Sequence, residues 1–245
     1  IGLATCHYLK DRGYNVIASC RKATDCGRLR QEGFSSCVID LADSDSVKNG
    51  FAEAVQLASG KLFGLFNNGA YGQPGAVEDL SRDCLRTQFE TNVFGTHELT
   101  CLAVAHMRKN GEGRIIQNSS VLGLVTLPFR GAYNSSKHAL EGLSDTLRLE
   151  LRGSNVFVST IEPGPIESKF RENAFAAYKK FINAEVSFHK EQYAQTEKRL
   201  QHQGAVAKFT LPPEAVAAKV LHALTSKNPN PRYYVTFPTY LMGTL

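Results

Sequence analysis

The 245-residue chain lacks any apolar run approaching the roughly 18 residues a membrane-spanning helix needs. Nothing in it resembles a signal peptide. Its six cysteines, at 6, 20, 26, 37, 84 and 101, include no Cys-x-x-Cys pair and no histidine spacing suited to zinc. Reduced thiols in a cytoplasmic protein are therefore expected, and no metal. Charge of one sign is scarce as well: 28 basic against 23 acidic residues leave +5, spread without an extended basic block. Nucleic acid is excluded as a partner on that ground. A Pro/Ser/Gly-rich linker, an internal repeat and a low-complexity segment are also missing. The length is accordingly read as one domain, 1–245, large enough for a substantial core.

What is present is an alternation of strand-like and helix-like patterns. Leu3 to Arg12 reads as a helix stopped by Gly13, Val16 to Ser19 as a strand, Thr24 to Gln31 as a helix and Ser36 to Ile39 as a strand. Ser44 is expected to cap a helix running to about Ser59, followed by a strand from Leu62 to Asn67. Ser81 opens a long helical region interrupted near Asn92 and finished by Asn110-Gly111. A strand to Ser119, a helix carrying Tyr133 to about Arg152 and a strand from Val156 to Glu162 complete the repeating part. Such alternation predicts an α/β fold, a doubly wound Rossmann-like parallel sheet with helices on both faces and right-handed crossovers.

Tyr133-Asn-Ser-Ser-Lys137 places a tyrosine and a lysine on one helical face. A phenol near pKa ~10 and an ammonium near ~10.4 are poor proton carriers at neutral pH. An adjacent ammonium would lower the phenol toward the range of a general acid or base. Taken alone, the pair also reads as a surface helix with a solvated lysine. Upstream, Arg114-Ile-Ile-Gln-Asn-Ser-Ser120 is a short apolar run ending in small polar residues, and Leu65-Phe66-Asn67-Asn68-Gly69 repeats that grammar. Both read as buried parallel strands whose carboxyl ends open into loops, where ligands bind in open α/β sheets.

With Ile1-Gly2, Asp40, Asn67-Asn68-Gly69, Asn92, Ser120, Tyr133, Lys137 and Pro163-Gly164 at these spacings, the chain resembles a short-chain dehydrogenase/reductase over essentially its whole length. The Ser-Cys-Arg-Lys and Glu162-Pro-Gly-Pro-Ile runs are similar to those of bacterial NADP-dependent aldehyde reductases, and more distantly to retinol and 17β-hydroxysteroid dehydrogenases. The resemblance implies a first strand and part of a glycine loop that are absent from this chain. It also implies NADP(H) as cofactor, with hydride passing between nicotinamide and a carbonyl or carbinol carbon. Tyr133 would then be the proton donor, Lys137 its pKa-lowering partner and ribose ligand, Ser120 a donor to the carbonyl oxygen, and Asn92 the anchor of a proton relay.

Cofactor contacts implied by the resemblance are Ile1, Gly2, Arg21, Lys22, Asp40, Asn67, Gly69, Pro163, Gly164, Ile166 and Ser168, together with Tyr133 and Lys137. Gly2 opens a helix whose N-terminus would meet a pyrophosphate. Cys20 stands where an acid would select NAD, and Arg21 and Lys22 follow it, a pattern suited to the 2′-phosphate of NADP(H). As bare residues, Arg21 and Lys22 read as solvated cations and Asp40 as a turn residue. The order Asn-Asn-Gly-Ala, instead of Asn-Asn-Ala-Gly, is expected to shift where the backbone takes positive φ; a compensating loop shift and a weakened site both remain open. An insertion at about 165–211 suggests a lid. Phe175, Tyr178, Ile182, Val186, His189 and Tyr193 recur at helical steps, either as core or as ligand contacts. Leu122, Leu124, Phe129, Phe175 and Tyr178 would line an apolar pocket for a long-chain, isoprenoid or steroid-like aldehyde or ketone. Other readings are a 3-oxoacyl thioester reductase and a non-catalytic NADP-binding sensor or scaffold. A homodimer or homotetramer is expected through the helices bearing Leu99, Leu140, Leu143 and Leu147.

Overall fold

The computed structural model describes residues 1–202, 204 and 207–243. Among the described residues, six parallel strands form two sheets. In one, β1 (Ile17–Cys20) pairs with β2 (Ser35–Val38). The other runs in the order β3 (Gly64–Asn67), β4 (Gly113–Asn118), β5 (Val156–Glu162), β6 (Arg232–Tyr234). The central strands lie buried on both sides, as apolar runs in parallel sheets require.

Alternation along β4 separates the two faces. Ile115, opposite Leu65 and Val158, packs with Val47 and Phe51 of α3 (Ser44–Leu57) and with Leu99, Ala103 and Met107 of α5 (Thr96–Asn110). Ile116 turns the other way, toward Leu9 of α1 (Gly2–Lys10) and Val216, Val220 and Ala223 of α9 (Glu214–Thr225). Both isoleucines are fully buried, a contribution of roughly 1.5–3 kcal/mol each. A third layer forms where Leu29 of α2 (Ala23–Gln31) meets Ala18 and Phe34 beside the β1–β2 ladder. The expected doubly wound α/β fold is what the chain adopts.

Several local expectations change. Asp43, not Ser44, caps α3: its carboxylate accepts from the Asp45 and Ser46 amides at 2.9 and 3.1 Å, while the Ser44 hydroxyl donates to Glu98 at 2.7 Å. The region opening at Ser81 divides into α4 (Arg82–Phe89), a π-helical turn over Glu90–Gly95, and α5. Asn92 sits in that turn, so its interruption of the helix is real. Beyond β5 the chain forms α7 (Phe170–Phe181), a 3₁₀ turn over Ala184–Val186 and α8 (Lys190–Gln201). The stripe from Phe175 to Tyr193 is not one face, because the break between α7 and α8 turns Val186 out to 80% exposure. Phe175, Tyr178, Ile182 and Tyr193 pack instead with Ala174 and Leu200 in a small separate core. Residues 203, 205 and 206 of the expected 165–211 segment lie outside the described residues.

The assembly helices also differ from expectation. Leu99 and Leu140 are buried and Leu147 packs against the core, leaving only Leu143 of the four exposed. Helix α6 (Gly131–Glu150) is joined to the last strand by Arg232, which reaches Glu141 and Asp145 at 2.6 Å each and Glu162 at 3.3 Å. A final helix, α10 (Phe237–Gly243), follows β6.

Candidate active site

The carboxyl ends of β3, β4 and β5 converge on the start of α6. Just beyond β4, Ser120 adopts extended backbone and caps a 3₁₀ turn over Val121–Gly123, its Oγ accepting from the Leu122 amide at 3.1 Å. Tyr133 lies in the first turn of α6, with the Lys137 Nζ 5.7 Å from its ring centroid. Lys137 is buried and donates to the Asn118 carbonyl at 2.7 Å. Asn92 pairs both ways with the Tyr71 backbone, its Nδ2 donating to the carbonyl at 2.9 Å and its Oδ1 accepting from the amide at 3.1 Å. The same Nδ2 donates to Ser136 Oγ at 3.1 Å, and Ser136 donates to the Tyr133 carbonyl at 2.8 Å. Asn92, Ser120, Tyr133 and Lys137 are thus brought together by one turn of π helix, one strand end and one helix start.

The electrostatics reverse one expectation. The Tyr133 phenol is pushed up to about 12, because burial outweighs the opposing pull of the Ser120 hydroxyl and the Arg130 guanidinium. The Lys137 ammonium donates to the Asn118 carbonyl. Burial pushes Lys137 itself down to about 8, against the charge of Glu141 one helical turn further on. Lys137 is therefore the member of the pair poised near neutral pH.

The cofactor expectations divide. Gly2 begins α1, whose first-turn amides lack helical acceptors and whose first turn holds no acid; a Cβ there would meet Asn68 Nδ2 at 2.6 Å. A bare helix N-terminus beside the ends of β1 and β3 fits a dinucleotide phosphate. Arg21 and Lys22 are exposed at the end of β1, their side chains making no hydrogen bond or ion pair among the described residues. Ile1 is the N-cap residue of α1, without a side-chain cap.

Asn67, in contrast, is committed to the core: its Nδ2 donates to Thr100 Oγ1 at 2.9 Å and Gln117 Oε1 at 3.0 Å. Asn68 occupies the cleft side, accepting from Asn118 at 3.0 Å. Gly69 does not take the positive φ expected of it. Its missing side chain instead makes room for Leu41, whose Cδ1 would lie 2.7 Å from a Cβ there. Asp40 forms a turn, accepting from the Ala42 amide at 3.0 Å. Pro163 accepts from Val121 at 2.9 Å, Gly164 packs against Thr236, and Ile166 bridges to Leu211. The Ser168 hydroxyl is exposed and engaged only locally, with Ile166 and Phe170 at 3.4 Å.

Of the expected substrate contacts, Leu122 is buried behind Ser120, Leu124 is half-buried, and Phe175 and Tyr178 belong to the α7–α8 core. Phe129 takes a left-handed backbone, φ 59°, and packs edge-on against His189 and Tyr193. The ring that meets Tyr133 is Phe170, at 5.2 Å, a residue the periodicity did not single out. Arg130 and Glu141 were also missed, although each stands three or four residues from a catalytic candidate on the same helix.

The family model for short chain dehydrogenase matches residues 1–179. Uncharacterized oxidoreductase YbbO of Escherichia coli is 42% identical over 245 residues, covering 100% of this chain and 85% of the relative. The NADPH-dependent 3-dehydrocapnine reductase of Ornithobacterium rhinotracheale is 34% identical over 250 residues, covering 99% and 86%. Among solved structures, a short chain dehydrogenase/reductase from Burkholderia phymatum in complex with NAD superposes with a TM-score of 0.79 at 25% identity, covering 99% of this chain and 86% of its own.

Proposed function

Because the chain belongs to the short-chain dehydrogenase/reductase family of oxidoreductases, we propose that it interconverts an aldehyde or ketone and its alcohol with NADP(H), on a largely apolar substrate. The observation that carries this reading is the convergence of Asn92, Ser120, Tyr133 and Lys137 at the carboxyl end of β4, with Lys137 held by the Asn118 carbonyl. The nicotinamide, when bound, supplies or accepts the hydride. Everything else falls to side chains of the chain.

The Tyr133 phenol donates the proton to the substrate oxygen in reduction and takes it back in oxidation. Ser120 donates a hydrogen bond to the same oxygen as charge develops. Lys137, near its own titration point, restores the phenol's proton, and the Asn92–Ser136 pair fixes the turn beneath both. Gly2 with the first turn of α1 would hold the pyrophosphate, and Arg21 with Lys22 the 2′-phosphate. That choice of cofactor is supported by the absence of an acid at Cys20 and by the NADPH dependence in the name of the 34% identical relative. The apolar substrate is supported by Phe170 against the tyrosine ring and by Leu122 and Leu124 in the short turn that Ser120 caps. The segment from Pro165 onward, ending near Leu211, would close as a lid over it. We place the activity in the cytoplasm, in a homo-oligomer.

The test is oxidation of NADPH by the full-length protein across aldehydes, ketones and oxoacyl thioesters, repeated with Arg21→Ala. Loss of a charge-assisted hydrogen bond is expected to weaken NADPH on the order of 10- to 100-fold and to leave NADH nearly unchanged. Equal losses for the two cofactors, or a wild type that prefers NADH, would overturn the assignment.

A further inference from the structure

Arg130 lies beside Tyr133, and the contact of its neighbour Phe129 with Tyr193 at 5.6 Å brings it against α8, which carries Arg199, with Arg171 beyond. Arg130 stands at the N-cap of α6, three residues before Tyr133, where its backbone bridges to Gly75. Phe170, whose ring meets Tyr133 at 5.2 Å, is followed by Arg171, and Arg171 donates to the His202 carbonyl at 3.0 Å. That bond ties the start of α7 to the end of α8, where Arg199 lies one turn before His202. Arg199 repels Arg130 on one side and is repelled by Arg171 on the other.

Arg130 and Arg199 are both half-buried, yet neither side chain makes a hydrogen bond, ion pair or ring stack among the described residues. Three of the acids on neighbouring elements are already engaged, while Glu172 of α7 and Glu191 of α8 are exposed. Asp79 takes the Ser187 and Tyr193 hydroxyls at 2.7 Å each, Glu78 faces His189 at 2.8 Å, and Glu197 pairs with Lys179. The first turn of α6 holds no carboxylate, so the partial positive charge of the helix start adds to that of Arg130. Half-burying two like charges without a counter-ion is unfavourable and is usually avoided by pairing. A fork of guanidinium donors beside a reacting centre is suited to a carboxylate, sulfonate or phosphate oxygen pair.

We propose that the cleft takes an amphiphilic oxo-substrate, with an apolar chain and an anionic group near the reacting carbon, and that Arg130 with Arg199 receives the anionic group. This rests on the dehydrogenase reading above and names its substrate class. An acidic carrier protein fits less well, because its contacts would fall on exposed cations, whereas these two are half-buried, Arg130 beside the tyrosine.

The test is binding without turnover, so that it stands apart from the catalytic assignment. Octanoate and octanamide, matched in chain and differing in charge, are titrated calorimetrically into the full-length protein, with inorganic sulfate alone as a third ligand. The acid is expected to bind at least about 10-fold tighter than the amide, the scale of one charge-assisted hydrogen bond. In Arg130→Gln and Arg199→Gln the acid-to-amide ratio should collapse toward one, while Arg130→Lys keeps part of it; thermal unfolding checks that each variant is folded. Equal binding of acid and amide by the wild type, or a ratio that survives both substitutions, would overturn the proposal. So would sulfate binding as tightly as octanoate, which would make this a site for a free anion. Turnover of neutral carbonyls alone by an enzyme that ignores octanoate would leave the dehydrogenase reading standing and remove this one.

Discussion

At the level of single residues, the site turns on which group titrates near neutrality. Tyr133→Phe is expected to abolish turnover while leaving cofactor binding nearly intact, because only the transferable proton is removed; equilibrium dialysis with NADPH beside a turnover assay checks both halves. The proton supply is more informative. Lys137 is pushed down to about 8, so its ammonium is present below that pH and lost as pH rises through it. Carbonyl reduction should therefore decline with pH through about 8. Glu141 opposes that lowering from one turn away, and Glu141→Gln is expected to move the midpoint of the reduction profile to lower pH. A purely structural role for Glu141 would change the rate and leave the midpoint in place. These candidate side chains were legible in the sequence because Ser120 follows a strand end, Tyr133 and Lys137 lie in the opening turns of a helix, and Asn92 interrupts one. The direction of the Tyr133 shift was not, since it depends on burial, and a ring packed against it, Phe170, lies 37 residues further along the chain.

Between elements, β5, β6 and α6 are joined through a buried acid. Glu162 is fully buried, accepts from Thr160 at 2.5 Å and the Tyr233 amide at 3.1 Å, and shares Arg232 with Glu141. Burial first, then the nearby charge of Glu141, pushes it up to about 7. The folded chain therefore keeps a proton that the unfolded chain releases at the ordinary carboxylate value. The corresponding stability is fully present below that ordinary value and is lost as pH rises through about 7. Glu162→Gln should flatten the fall in unfolding midpoint between about pH 5 and 8, measured by urea titration against the wild type. A wild-type curve parallel to the variant's would show that Arg232 already compensates the carboxylate. None of this was readable beforehand: β6 is a three-residue strand, Arg232–Tyr234, and its partners lie 70 and 91 residues away. The longer strands were readable, because Gly113–Asn118 and Val156–Glu162 are apolar runs that only a parallel sheet covered on both faces can bury.

For the molecule as a whole, we propose that part of the exposed apolar surface serves self-association. Alternation of strands and helices along the chain sufficed to read the doubly wound fold, but which helix faces stay outside depends on packing. Leu99 and Leu140 went into the core because α5 and α6 both lie against the sheet. Outward apolar positions on the π turn and α6 include instead Phe94, 52% exposed, Leu143, 41% exposed, and Leu149, 56% exposed. Phe94 meets Phe89 at 6.1 Å and lines, with Arg82, Leu85 and Arg86, a groove of about 490 Å³ along α4 and the π turn. An aromatic anchor rimmed by arginines resembles the centre of a protein–protein contact more than a solvated surface. A two-fold pairing would set this patch against its own copy, the self-complementary arrangement most common among homo-oligomers. The wild type is expected to run as a dimer or tetramer in light scattering at micromolar concentration. Phe94→Glu, which places like charges across the axis, is expected to shift the mass to that of a monomer with the fold retained by circular dichroism. A monomeric wild type would remove the assembly, and an oligomeric Phe94→Glu variant would move the interface elsewhere.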